Sequence, residues 1–341
     1  MNTFGSIITL VGLWFATTVA LVRRVFRRAL LGPTLPSWTW RTDLTVAAAR
    51  AAVAYAARVP DDPWINRVGR IVRAPVSTDV AKRIRIVDRR LGGRRTDEYV
   101  RLGATTDLGT LFYLHGGAYV YGNPGTHRQH VARIVDATGM GAVAPSYRLA
   151  PRHPFPAGLD DALAAYLGLL DQGVPPDRVI VSGDSAGGGL TLALLVTLRD
   201  RNLPLPAGAV LFSPYTDLAH TSYTAVTNAD TDYLPPREFT RPNPYYCAAE
   251  QISNPLVSPV NADLHGLPPM LILAGGAEMI LDDSIRVAAN ARHADVDVHL
   301  SVYEDMMHVW PAIVPWEPAS VTALAEVADW VRSVLGPDRF D

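Results

Sequence analysis

The chain has 341 residues, 48% of them hydrophobic and 19% charged, with a formal net charge of −2. It is too apolar to be disordered, and it lacks the overall basic field that nucleic-acid binders use. A single cysteine, Cys247, excludes an intrachain disulfide and a cysteine zinc cluster, and the length leaves room for one large α/β domain or two ordinary ones.

The first predicted element is apolar. Residues 1–22 carry no charged side chain, and Ser6–Val22 (SIITLVGLWFATTVALV) runs directly into Arg23, Arg24, Arg27 and Arg28. As a helix, Phe4–Val22 is about 28 Å long at roughly 1.5 Å per residue, near the lower limit for crossing a bilayer core. The basic residues follow the run, whereas a secretory signal would place them before it. The expectation is therefore membrane association through residues 4–22, with the bulk of the chain on the cytoplasmic side. The competing reading is a helix packed over the rest of the chain.

Asp43–Val59 (DLTVAAARAAVAYAARV) reads as a helix with Asp43 as its cap, stopped by Pro60 and Pro63. Short apolar runs then alternate with helical periods. The strands expected are Arg83–Val87, Glu98–Leu102, Thr110–Leu114, Gly141–Pro145, Arg178–Ser182, Ala207–Phe212, Met270–Ala274 and Val296–Tyr303. The helices expected between them are His127–Thr138, Ala157–Leu170, Ala186–Arg201, Asp282–Ala294 and Pro318–Leu335. After an initial hairpin, this alternation predicts an α/β fold with a mostly parallel sheet and ligands at the C-terminal strand ends. Residues 214–268 break the rhythm, being rich in Pro, Tyr, Asn and Asp. A structureless loop of that length is unusual, so an insertion covering the sheet is the better expectation.

Gly183-Asp184-Ser185-Ala186-Gly187 follows one apolar strand and opens a helix. That is the setting of a nucleophile elbow, with Ser185 lifted above the strand ends and the Ala186 N–H facing a developing oxyanion. His115-Gly116-Gly117-Ala118 follows a second strand, and its glycines let backbone N–H groups approach the same charge. A hydrolytic serine needs a base and an acid to orient it. His308, after the last predicted strand, is the base by chain order. The acid belongs in the loop after Met270–Ala274, with Glu278 first and Asp282 second; Asp282 also suits a helix N-cap. A cap-side set of aromatics, Tyr215, Tyr223, Tyr233, Phe239, Tyr245, Tyr246, Trp38 and Trp40, suggests an apolar pocket, although each ring equally suits packing.

With these motifs the chain resembles the hormone-sensitive-lipase-like family of α/β-hydrolase esterases over roughly residues 80–335. The resemblance rests on His115-Gly116-Gly117, on Gly183 through Gly188, on Tyr147-Arg148-Leu149-Ala150-Pro151 with Phe155-Pro156-Ala157, on Glu278 through Asp283, and on Met307-His308. It implies an eight-stranded, mostly parallel sheet with a helical cap. The segments would be an apolar stretch (1–28), N-terminal cap helices and linker (29–80), core (81–213), cap insertion (214–268) and core (269–341). It further implies hydrolysis of small hydrophobic carboxylic esters with no metal or cofactor, and oxyanion donors at Gly116, Gly117 and Ala186. Members of such a family often form homodimers, and a homodimer is the assembly the resemblance implies. Two departures stand out: Ala118 where a glycine is usual, and Arg152 where Glu is common, so that a structural ion pair is lost or redrawn. An amidase or deacetylase of hydrophobic small molecules shares the chemistry, and a non-catalytic receptor of the same fold is the distant alternative.

Overall fold

A computed structural model describes residues 3–58, 73–103, 108–239 and 245–336. Its centre is one eight-stranded sheet in the order β1-β2-β4-β3-β5-β6-β7-β8. The strands are β1 (Ile84–Leu91), β2 (Arg94–Arg101), β3 (Thr110–Leu114), β4 (Gly141–Pro145), β5 (Val179–Asp184), β6 (Gly208–Phe212), β7 (Met270–Gly275) and β8 (Val298–Tyr303). β1 and β2 pair antiparallel, as do β2 and β4; every pairing from β4 through β8 is parallel. The α/β expectation and the mostly parallel sheet are thus both met.

The central strands are continuous apolar runs because both of their faces are covered. Residues of β5, β6 and β7 are buried throughout. Period-two geometry divides their side chains between two cores. Val210, Phe212, Leu271 and Leu273 join the core that holds Leu324, Val327 and Val331 of helix α7 (Pro318–Leu335). Ala209, Leu211, Met270 and Ile272 join a second core with Leu192 and Leu195 of α5 (Ala186–Asp200) and Val287 and Ala291 of α6 (Leu281–His293). Two further helices, α3 (Arg128–Thr138) and α4 (Ala157–Leu170), pack on α7 and α5 respectively.

Strand and helix positions follow the sequence closely except at the edge hairpin. β1 and β2 each extend further than predicted, joined by Gly92 and Gly93, both at positive φ. The added residues are mostly charged, Asp88 to Arg90 in β1 and Arg94, Arg95 and Asp97 in β2, so the apolar pattern fades before the hydrogen-bond ladder does.

The N-terminal part differs more. Helix α1 (Thr3–Leu31) contains all four arginines and packs on α2 (Trp40–Arg58). Asp43 does not cap α2, which begins earlier. It is fully buried and pairs instead with Arg24 and Arg28 while accepting the Thr34 hydroxyl at 2.6 Å. No helix among the described residues is long and apolar enough to cross a membrane. The expected span over 4–22 is therefore unsupported, and side chains 4–10 lie outside those described. What α1 does present is an exposed stripe of Val11, Trp14, Phe15, Val22, Val25 and Phe26.

Candidate active site

The turn from β5 into α5 holds Ser185 at φ 51°, ψ −121°, a conformation that costs a non-glycine residue energy and persists only where its surroundings enforce it. Two contacts enforce it here. A Cβ on Gly187 would lie 2.0 Å from the Leu114 carbonyl oxygen, and one on Gly183 would lie 2.3 Å from that of Gly187. Only glycines let strand, turn and helix approach so closely. The Ser185 N–H donates to Phe212 O and its carbonyl accepts from the Tyr215 N–H, each at 2.9 Å, which ties the serine to the end of β6. Ala186 is the first residue of α5, so its N–H has no carbonyl partner inside the helix.

The loop after β3 folds over this turn. Gly117 adopts φ +119°, and a Cβ there would lie 2.3 Å from Tyr121 O. The His115 ring stacks on Tyr147 at 4.2 Å, and its Nδ1–H donates to the Gly116 carbonyl at 2.8 Å. The Tyr147 hydroxyl donates to His115 O at 2.5 Å, so Tyr147 buttresses this loop. Burial lowers the His115 pKa to about 3, aided by the nearby His127 charge, so the ring is neutral. The Arg148 side chain and N–H grip Asp161, which Arg94 also reaches at 3.1 Å.

One expected oxyanion donor does not stand. The Gly116 N–H donates to Asp184 Oδ1 at 2.9 Å, and a donor already held by a carboxylate is not pre-organised for a developing oxyanion. Asp184 also accepts the Tyr113 hydroxyl at 2.7 Å and faces His127 Nε2 at 3.3 Å. Burial alone would raise its pKa, but the His127 imidazolium and the Tyr113 hydroxyl outweigh it and hold the carboxyl well below the usual range. Asp184 thus remains an anion directly beneath the elbow. As the variable residue of the G-x-S-x-G pentapeptide it carried no flag in sequence, although an acidic residue entering a buried helix N-terminus was the available signal.

Beyond β7, Glu278 is fully buried and its Oε2 lies 3.3 Å from His308 Nδ1. A carboxylate accepts only, so Nδ1 carries the proton and Nε2 is left as the basic nitrogen. Burial disfavours the imidazolium, yet the hydrogen bond and charge of Glu278, with Asp232 and Asp184 adding, leave the His308 pKa above its ordinary value. Asp282 is placed elsewhere. Its carboxylate accepts the N–H groups of Tyr223 at 2.6 Å and Thr224 at 3.1 Å, at the one-turn helix Thr224–Thr227. The Val309 N–H donates to Ser213 Oγ at 3.0 Å. The loop of His308 and the turn of Ser185 therefore share the corner after β6.

The expected aromatics separate. Tyr215, Tyr246 and Tyr233 are buried, and the Tyr233 ring lies 5.9 Å from that of His308. Tyr119, directly after the glycine loop, stacks on Tyr246 at 3.9 Å, with Phe155 edge-on to Tyr246. Tyr245 is only half-buried. Tyr223 is 74% exposed and Trp40 lies under the Arg28 guanidinium, so neither lines an interior. Trp38 is buried and its indole N–H donates to Asp305 O at 2.6 Å, docking the N-terminal segment on the His308 loop. The side chain of Phe239 lies outside the described residues. Cys247 is buried, and burial pushes its thiol pKa up, which makes it a poor nucleophile.

Comparison with known proteins agrees with this geometry. Residues 111–312 match a family described as the α/β hydrolase fold. An acetyl-hydrolase of Streptomyces hygroscopicus is 40% identical over 245 residues, covering 72% of this chain and 82% of its own. An esterase of Acinetobacter venetianus is 37% identical over 247 residues, covering 72% and 81%. Among solved structures, the esterase EstE5 soaked with p-nitrophenyl butyrate superposes with a TM-score of 0.75 at 34% identity, over 93% of this chain and 98% of its own. An esterase described as belonging to the bacterial hormone-sensitive lipase family does so with a TM-score of 0.73 at 33% identity, over 95% and 98%. The chain belongs to the α/β-hydrolase fold family, among the esterases of the hormone-sensitive-lipase type.

Proposed function

We propose that this protein is a serine carboxylic ester hydrolase that works through an acyl-enzyme on Ser185. The observation that carries the reading is the buried His308–Glu278 pair beside the elbow of Ser185. His308 Nε2 takes the Ser185 proton as Oγ attacks the ester carbonyl, and Glu278 holds the imidazole in the required tautomer. The tetrahedral oxyanion is received by the N–H groups of Gly117 and Ala186, the donors left once Gly116 is assigned to Asp184. The imidazolium then protonates the leaving alcohol, and water repeats the cycle on the acyl-enzyme. The segment between β6 and β7, together with α2, serves as the cap, and the Tyr119–Tyr246–Phe155 cluster bounds the apolar side of the substrate. A panel of p-nitrophenyl esters of increasing acyl length, beside the matching anilides, tests this. Ester turnover with fluorophosphonate labelling of the wild type, and neither with Ser185→Ala, is expected. Anilides turned over faster than esters would favour the amidase reading instead.

For α1 we infer contact with an anionic lipid surface without crossing it. In support, one side packs on α2 while the opposite side shows the apolar stripe from Val11 to Phe26 flanked by exposed Arg23 and Arg27, the pattern of an in-plane helix. Co-sedimentation with phosphatidylglycerol vesicles, weaker with phosphatidylcholine and lost in Trp14→Glu/Phe26→Glu, is the expected result. Equal recovery of wild type and double variant would refute it.

A further inference from the structure

The backbone of the acid loop after β7 bonds to the loop of His308 through Gly276 N–H to Tyr303 O at 2.8 Å and Ala277 N–H to Met306 O at 2.9 Å, and three side chains of one short segment, Asn228–Asp232, hold further groups of it. The Asn228 amide donates to the carbonyls of Gly276 at 3.1 Å and Glu278 at 2.9 Å. The Thr231 hydroxyl donates to the carbonyl of Ala277 at 2.9 Å. Asp232 closes the series: its Oδ2 accepts the Met279 N–H at 2.8 Å. These contacts cover four consecutive residues of the loop that carries Glu278.

Asp232 does more than its two neighbours. Its Oδ1 accepts the His308 N–H at 3.2 Å and the Tyr233 N–H at 2.7 Å. A single fully buried carboxylate therefore grips the residue after the acid and the base itself. Its backbone is anchored in turn from α2, where Arg50 Nε donates to Asp232 O at 2.8 Å and Nη2 donates to Ala229 O at 2.7 Å. A chain of contacts runs from α2, through the segment between β6 and β7, to both loops of the acid–base pair. Burial raises the Asp232 pKa above its ordinary value, and the His308 charge together with the three backbone donors opposes that shift.

We propose that Asp232 is a positioning residue for the hydrolytic reaction: it sets the His308 imidazole in register with Glu278 by holding both loops, and it supplies negative charge behind the imidazolium formed during turnover. The proposal rests on the assignment of Ser185, Glu278 and His308 given above. His308 is faced by three carboxylates, Glu278 from the loop after β7, Asp232 from the segment between β6 and β7, and Asp184 from the end of β5, and by the Tyr233 ring. Asp232 is faced by His308, by the like charge of Glu278 and by the Tyr233 hydroxyl, and the Arg50 guanidinium is the nearby opposite charge. Removing the Asp232 charge takes away one of the influences that raise the His308 pKa. The acid limb of kcat/KM, which reports the free enzyme's base, must then move to lower pH.

The test is Asp232→Asn in the full chain, assayed with p-nitrophenyl acetate from pH 5 to 9, with active sites counted by fluorophosphonate labelling. The expected result is a fall in kcat of about ten- to a hundredfold per labelled site, at or below the lower end of the ~10²–10⁴-fold that acid–base catalysis contributes because the base itself is retained, with KM within about twofold and the acid limb displaced downward. A merely structural role would lower the labelled fraction and the melting temperature but leave the limb and the kcat per labelled site unchanged, which overturns the proposal. Should Asp232→Asn not fold, Arg50→Ala frees the backbone of 229–232 while keeping the carboxylate. A fall in kcat of about fivefold or more at unchanged KM supports the proposal, and a kcat within twofold of wild type overturns it. Absence of labelling in the wild-type protein would instead count against the assignment of Ser185.

Discussion

Ser185 and the His308–Glu278 pair, proposed above as nucleophile and acid–base pair, sit at the ends of strands in one sheet, yet their surroundings are assembled over very different sequence distances. The turn of Ser185 is made by its own pentapeptide: Gly183 and Gly187 remove the side chains that would collide with Gly187 O and Leu114 O, and the helix that follows supplies Ala186. The His308–Glu278 pair is held by residues far away in the chain. Asn228, Thr231 and Asp232 reach in from the segment between β6 and β7, Arg50 from α2, and Trp38 from the segment before it. A local turn is governed by steric exclusion, which a few residues encode. A pair of loops has no such internal constraint, and its backbone groups must find partners elsewhere.

The largest expected effect tests the remote side. Glu278→Gln is expected to lower kcat by about 10³–10⁴-fold, as when a triad acid loses its charge, whereas Asp282→Asn is expected to stay within about threefold because that carboxylate holds Tyr223 and Thr224. The reverse outcome in a steady-state assay would exchange the two roles. The wild-type pH profile belongs to the same test. Activity requires neutral His308, whose pKa is raised, so activity is expected to climb with pH through a midpoint above the ordinary value of about 6.5. A midpoint at or below that value would mean that Glu278 does not act on His308 as placed here.

The local side should fail through folding. Gly187→Ala puts a methyl group 2.0 Å from a backbone oxygen, and a loss of about 3 kcal/mol is expected from such overpacking, read as a drop in chemical-denaturation midpoint. Activity and stability close to wild type would show that the turn has slack. Tyr147→Phe removes one buried hydrogen bond to His115 O. About 1 kcal/mol of stability should go with it, with kcat lowered mildly; an unchanged melting curve would remove Tyr147 from the support of the glycine loop. The smallest effect belongs to Ala118, which sits at φ 53° where only glycine is at ease. Ala118→Gly relieves that strain and gives back part of it in unfolded-state entropy, so the net change should lie between zero and about 1 kcal/mol of stabilisation. A loss of more than 1 kcal/mol would show that the Ala118 methyl group contributes packing.

Much of this contrast was legible in the residues. The apolar runs of β3 and β4 and the helices α4 and α7 lie where periodicity placed them, because a strand buried on both faces and a helix with one buried stripe each leave a strong pattern. The elbow was legible for the same reason, being a local motif between a strand and a helix. The hairpin outruns its apolar pattern because its ladder continues through charged residues. Asp43 was misread because an acidic residue in a first helical turn looks like a cap, whereas burial beside Arg24 and Arg28 is a tertiary fact. Asp232 left no trace, since an aspartate in a polar, aperiodic stretch looks solvated.

Residue pattern alone was enough for the sheet-and-helix alternation and the tight turn at Ser185, and it nominated His308 as the base with an acid before it. These depend on side-chain period and backbone sterics, which act within a few residues. Three contacts emerge only in the folded chain: Glu278 rather than Asp282 meets His308, Asp184 holds the Gly116 N–H, and Asp232 joins the two loops. Each of those outcomes turns on which buried hydrogen-bonding group finds which partner across the fold, and a buried polar group's partner is set by three-dimensional proximity that sequence spacing does not encode.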